Sequence, residues 1–122
     1  MSSDRPTAAE LVDAVREFLE RDVMAATEGR VQFHTRVAVN ALGMIRRELT
    51  EGPVYAQAER ARAEALLGQD GDAVTLEREL ATRIRDGSLD DRLGEVRAHV
   101  RATVREKLLI ANPGYLPESQ RE

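Results

Sequence analysis

The chain has no cysteine and no tryptophan, and its 122 residues carry only four aromatic rings, Phe18, Phe33, Tyr55 and Tyr115. Lacking thiols, it has no disulfides, thiolate metal sites or cysteine nucleophiles. With so few rings, a core has to be built from Leu, Val, Ile and Ala, which favours closely approaching helices. Positive charge is not in excess: the net charge is −4, and Lys107 is the only lysine. Such a field repels nucleic acid and anionic membranes, so neither is expected as a partner. No run approaches the ~18 apolar residues of a membrane span, and the opening MSSDRPTAAE has no apolar segment of a secretory signal. The expected location is cytoplasmic.

What is present is helical. Hydrophobic residues make up 42% and charged residues 33% of the chain, a balance that suits one folded domain of this length. Thr7 to Glu10 spells a capping box, which starts a helix expected to run to about Ala26 with Leu11, Val15, Phe18 and Leu19 on its apolar side. Glu28-Gly29 breaks it. A second helix, from about Arg30 to Leu49, collects Val31, Val37, Ala38, Ala41, Leu42, Ile45 and Leu49 on an arc wide enough for several neighbours, and is expected to be central. Pro53 suits the first position of a third helix that Gly68 closes. Asp72 caps a fourth with Leu76, Leu80 and Ile84 as its stripe, ended by Gly87. Ser88 caps a fifth, with Leu93, Val96, Val100, Val104, Leu108 and Ala111 on one face, stopped by Asn112-Pro113-Gly114. The expected fold is all-α: an antiparallel bundle of about five helices with short loops over 7–116, with flexible segments at 1–6 and 117–122.

Polar residues on apolar faces are the candidates for chemistry. In VQFHTRVAVNAL (31–42), a 100° wheel puts His34 in mid-arc between Ala41 and Ile45, and Asn40 at its edge. Asp22 falls between Leu11 and Val15 on the first helix. If the two helices fold back at Gly29, Asp22 and His34 face each other. A carboxylate accepting from one imidazole nitrogen orients a base, and is equally how a buried structural histidine is satisfied. Lys107 lies on the fifth helix's apolar face, where an ammonium either loses its proton to act as a base or snorkels toward the last carbonyls. Arg97, Arg101 and Arg105 recur every four residues, a row that forms either an anion clamp or a solvated face. His99 lies at the margin of that helix and reads as surface. Two histidines without an E-x-x-H pair make no metal pattern, and there is no glycine-rich phosphate loop or G-x-S-x-G elbow, so no metal, cofactor or known catalytic motif is expected.

Three segments, RPTAAELVDAVREFL, FHTRVAVNAL and KLLIANPGYL, taken in that order, resemble a family of small bacterial proteins described as a domain of unknown function. The resemblance spans about Arg5 to Leu116. It implies an all-helical protein encoded beside, or fused to, aminoglycoside-phosphotransferase-like kinases and beside acyl-CoA dehydrogenases. It assigns no role to His34, Asn40, Lys107 or Asn112. Two functions follow as expectations. The first is a non-enzymatic accessory or interaction domain that partners a phosphotransferase-like kinase or forms a homodimer. The second is a small-ligand-binding protein or enzyme with a site centred on His34, oriented by Asp22 and completed by Asn40 or Lys107.

Overall fold

A computed structural model describes residues 4–121. It is all-α, with no strand among the described residues. Four helices carry the chain, one fewer than the sequence suggests. Helix α1 covers Ala8–Phe18, passes through a π-turn at Leu19–Val23 and ends with Met24–Ala26. Helix α2 is Gly29–Leu67, α3 is Ala73–Arg85 and α4 is Leu93–Ala111. Short 3₁₀ turns lie at Asp90–Arg92, Pro113–Tyr115 and Glu118–Gln120.

The missing break is at Pro53, which lies inside α2. Proline's fixed φ is helical, so its cost is confined to one lost N–H bond and a local clash, about 3 kcal/mol, which a helix continuing on both sides absorbs. Gly52 eases the passage. A Cβ there would lie 3.1 Å from the Glu48 carboxylate, so the Glu48 side chain closes over the bare backbone. The chain divides into two compact units at this proline, Met1–Pro53 and Val54–Glu122.

The first unit is a helical hairpin. Its capping box forms as expected: Thr7 Oγ1 accepts from the Glu10 amide at 3.1 Å, and Glu10 Oε1 accepts from the Thr7 amide at 2.8 Å. After α1 the chain turns through Gly29 at φ +64°, a left-handed value that glycine adopts without strain. Gln32 secures the turn by donating to the carbonyls of Met24 at 3.1 Å and Thr27 at 3.0 Å. The Asp13–Arg46 ion pair, 2.7 Å, ties the far end, which makes the helices antiparallel. Their contact side is not the expected one. Thr35, Val39 and Gly43 are the buried positions of α2 in this unit, and Val12, Arg16, Leu19 and Val23 are half-buried on α1 and its π-turn. Thr35 satisfies its hydroxyl on the Val31 carbonyl at 2.7 Å. Small residues are selected because two lone helices gain most contact by approaching closely: a Cβ on Gly43 would lie 3.6 Å from the Arg16 guanidinium. The wide arc expected to be core is therefore left outside. Val31, Val37, Ala41, Ile45 and Leu49 are exposed.

The second unit has the larger core, in which Ala63, Leu66, Leu67, Leu76, Leu80, Leu89 and Val96 form one buried cluster. Asp72 caps α3 as expected, accepting from the Thr75 amide at 2.8 Å, and Leu76 is the most enclosed side chain at 1% exposure. Ile84 is exposed. Ser88 does not cap α4: its amide is held by Asp86 Oδ1 at 2.9 Å, and the 3₁₀ turn Asp90–Arg92 intervenes before the helix. The buried side of α4 is Val96, His99, Glu106 and Leu109, while Leu93, Val100 and Val104 are exposed. The tail 117–122, expected to be loose, is tied where it is described. Arg105 Nε donates to the Gln120 carbonyl at 2.9 Å, and Arg121 Nε donates to the Leu116 carbonyl at 2.8 Å. Residues 1–3 of the expected flexible start, and residue 122, lie outside the described residues.

Candidate functional site

The His34-centred site does not assemble. His34, Asp22 and Asn40 are all exposed, and among the described residues His34 and Asp22 share no hydrogen bond or ion pair. His34 instead meets the edge of its neighbour Phe33, with ring centroids 5.4 Å apart and planes at 75°. Two causes account for this. The hairpin buries Thr35 and Val39 rather than the arc containing His34. Moreover, the π-turn holds more residues per turn than an α-helix, so a 100° wheel misplaces Asp22. Arg97 and Arg101 are exposed, whereas Arg105 Nε donates to the Gln120 carbonyl. Lys107 is exposed, at the edge of a cleft.

That cleft lies wholly within the second unit. It holds about 320 Å³ between the 56–63 stretch of α2, the first half of α3 and the 99–107 stretch of α4, a volume at the lower bound for small-molecule sites. Ala63, Leu76, Leu80, Val100 and Val104 give it apolar walls. The polar contribution of α4 is a row of three, His99, Thr103 and Lys107, each four residues after the last. One helix face therefore presents an imidazole, a hydroxyl and an ammonium along about 12 Å.

His99, expected at the surface, is 8% exposed, and its Nδ1 is buried without a hydrogen-bond partner. Burial pushes its pKa below the ordinary value, and the Arg62 guanidinium pushes the same way against the opposing carboxylates of Glu59 and Glu106. Both effects favour the neutral ring. Arg62 meets buried Glu106 through two bonds, Nη2 to Oε1 at 2.8 Å and Nη1 to Oε2 at 3.0 Å, and also donates to Thr103 Oγ1 at 3.2 Å. This pairing raises the Arg62 pKa, chiefly through the Glu106 hydrogen bond. It also fixes Thr103: with its oxygen accepting from Arg62, its proton points elsewhere. Composition hides this network, because Arg62 and Glu106 read as surface charges. The four-residue spacing of His99, Thr103 and Lys107 is the signal visible in the sequence.

The first unit has an open concavity of about 380 Å³ lined by Ala14, Glu17, Phe18, Arg21 and Asp22, and it also presents an exposed apolar surface. On α1 the exposed Leu11, Val15 and Phe18 each precede a half-buried residue, Val12, Arg16 and Leu19. On α2, His34, Ala38, Ala41 and Ile45 likewise each precede a more buried one, Thr35, Val39, Leu42 and Arg46. In antiparallel right-handed helices, the same one-residue offset from the contact side turns both rows to the same side of the hairpin. Both rows follow the alternating three-and-four spacing of a helix-packing seam. Val31 extends the seam on α2, and its large apolar members, with those of α1, are 48–56% exposed.

Among the described residues no helix is long and apolar enough to cross a membrane, and no three His, Asp or Glu side chains converge on a metal position. A family described as a domain of unknown function, DUF6285, matches residues 25–115. No curated protein and no solved structure matches the chain.

Proposed function

Since the chain belongs to the DUF6285 family, whose description assigns no activity, we propose from its geometry that it is a helical interaction module whose first unit docks onto a second copy of the same chain. The observation that carries this reading is the exposed seam shared by α1 and α2. Six large side chains, Leu11, Val15, Phe18, Val31, Ile45 and Leu49, are about half exposed on that side. With Ala38, Ala41 and His34 between them, they amount to roughly 700 Å² of surface, taking ~150–200 Å² for each large side chain. That exceeds what a monomer ordinarily exposes as one patch and approaches the ~800 Å² per partner of a standard interface.

The seam is self-complementary. Both of its helices carry the same spacing, so two hairpins placed face to face form a four-helix bundle about a two-fold axis. It carries no arginine or lysine, and its only polar member is His34, so it offers a differently charged partner little to pair with. A phosphotransferase-like kinase, the partner implied by the resemblance, would compete for the same surface.

Light scattering at about 100 μM chain, well above a micromolar dissociation constant, is expected to give twice the 13.6 kDa of one chain. Val15→Glu with Ile45→Glu is expected to return the mass of one chain with its helical circular dichroism intact. A wild-type mass of one chain at that concentration refutes the second copy and leaves the surface to a different protein.

A further inference from the structure

The seam leaves unexplained the cleft in the second unit, and four features there belong together. The walls are largely apolar, with polar groups set among them. Three of the polar groups, His99, Thr103 and Lys107, are aligned on one helix. The Thr103 oxygen already accepts from Arg62 at 3.2 Å, which leaves its hydroxyl as a donor. Finally, His99 lines the cleft, and one of its ring nitrogens is buried with no partner, a polar atom that calls for an explanation beyond packing.

We infer that this cleft binds a small organic acid, its carboxylate held by the Lys107 ammonium and the Thr103 hydroxyl and its apolar body lying against Leu76, Leu80, Val100 and Val104. The charges around the rim favour this head group over the alternatives. Arg60 faces Glu64 at 3.4 Å and is partly neutralised, whereas Lys107 has no ion pair among the described residues. Glu59 and Glu77 also line the cleft, so it is not a general anion trap. A carboxylate gains only where it meets the Lys107 and Thr103 donors together, and a second carboxylate on the ligand would meet Glu59 or Glu77. A charge-assisted bond at the rim and contact with the apolar walls then act on opposite ends of one molecule.

The test is an NMR titration of the full chain with three probes of equal length, hexanoate, hexanol and hexylamine. Hexanoate is expected to shift the His99 ring and Thr103 amide signals and to bind about ten-fold more tightly than the other two, the worth of one charge-assisted hydrogen bond. Lys107→Met, at an exposed position, is expected to bring hexanoate down to the affinity of hexanol while leaving hexanol unchanged, and Lys107→Arg to restore most of the difference. Equal binding of hexanol or hexylamine, an undiminished hexanoate affinity in Lys107→Met, or no shift with any probe at millimolar concentration each overturns the assignment. None of these outcomes depends on whether the hairpin seam dimerises.

Discussion

Replacing Glu106 with alanine tests whether the second unit is organised around one ion pair. The Arg62 and Glu106 side chains are only 28% and 12% exposed, and the guanidinium donates twice to the carboxylate and once to Thr103. Truncation leaves a mostly buried cation with one remaining acceptor, and its Nε has no partner to begin with. Breaking a fully buried pair costs about 3–5 kcal/mol, and the residual solvent access of Arg62 reduces this to about 2–3 kcal/mol. For a chain of this length that corresponds to a Tm lower by roughly 10 °C. Removing both charges with apolar residues of similar volume, Arg62→Met with Glu106→Leu, abolishes the uncompensated charge, so the double variant is expected within about 1 kcal/mol of wild type. Urea unfolding of the wild type, Arg62→Met, Glu106→Leu and the double variant closes a thermodynamic cycle with a coupling of about 2 kcal/mol. A loss below about 0.5 kcal/mol for Glu106→Ala, or a double variant equal to the sum of the singles, would refute the reasoning.

Two further outcomes follow from the same packing. His99 is held below its ordinary value of 6.5, so the unfolded chain takes up its proton first. Its contribution to stability is complete above about pH 6.5 and is lost as the pH falls from there toward the folded-state value. Tm is therefore expected to fall between pH 7.5 and 5.5 in wild type and to fall less in His99→Gln; parallel profiles would exclude the assignment. At Gly43, an added Cβ meets Arg16 at ordinary contact distance. Gly43→Ala is thus expected to raise stability by about 0.5–1 kcal/mol through helix propensity, whereas Gly43→Leu overpacks the hairpin and lowers it by about 1–3 kcal/mol. Thermal unfolding of the pair checks the sign of each change, and a destabilised alanine variant would refute the argument from contact distance.

Local signals in the sequence were legible. The capping box at Thr7, the Asp72 cap and the stop at Asn112 each involve groups within four residues, so neighbours alone determine them. Less legible was everything decided at a distance. Pro53 reads as a helix start because proline favours that position, but nothing local shows that the helix already exists on its other side. Which face is buried is misleading in two helices for one reason. The most apolar arc reads as core, whereas α2 turns Thr35, Val39 and Gly43 inward for close approach, and α4 turns His99 and Glu106 inward because Arg62, 44 residues away in sequence, satisfies the carboxylate. The candidate site moves with the face. His34 goes outward with its arc, and of the candidate residues that the sequence offers only Lys107 lines the cleft.

Lys107 also gives the molecule a chemical handle. It is the only lysine in the chain and stands at the edge of the cleft, so acylation by an amine-reactive reagent at a side chain has a single destination. One covalent tag placed there would report on the cleft alone, with no background from other lysine side chains. The same uniqueness means that any cellular acyl donor reaching this protein would modify a lysine at one place, converting the ammonium at the cleft rim into a neutral amide.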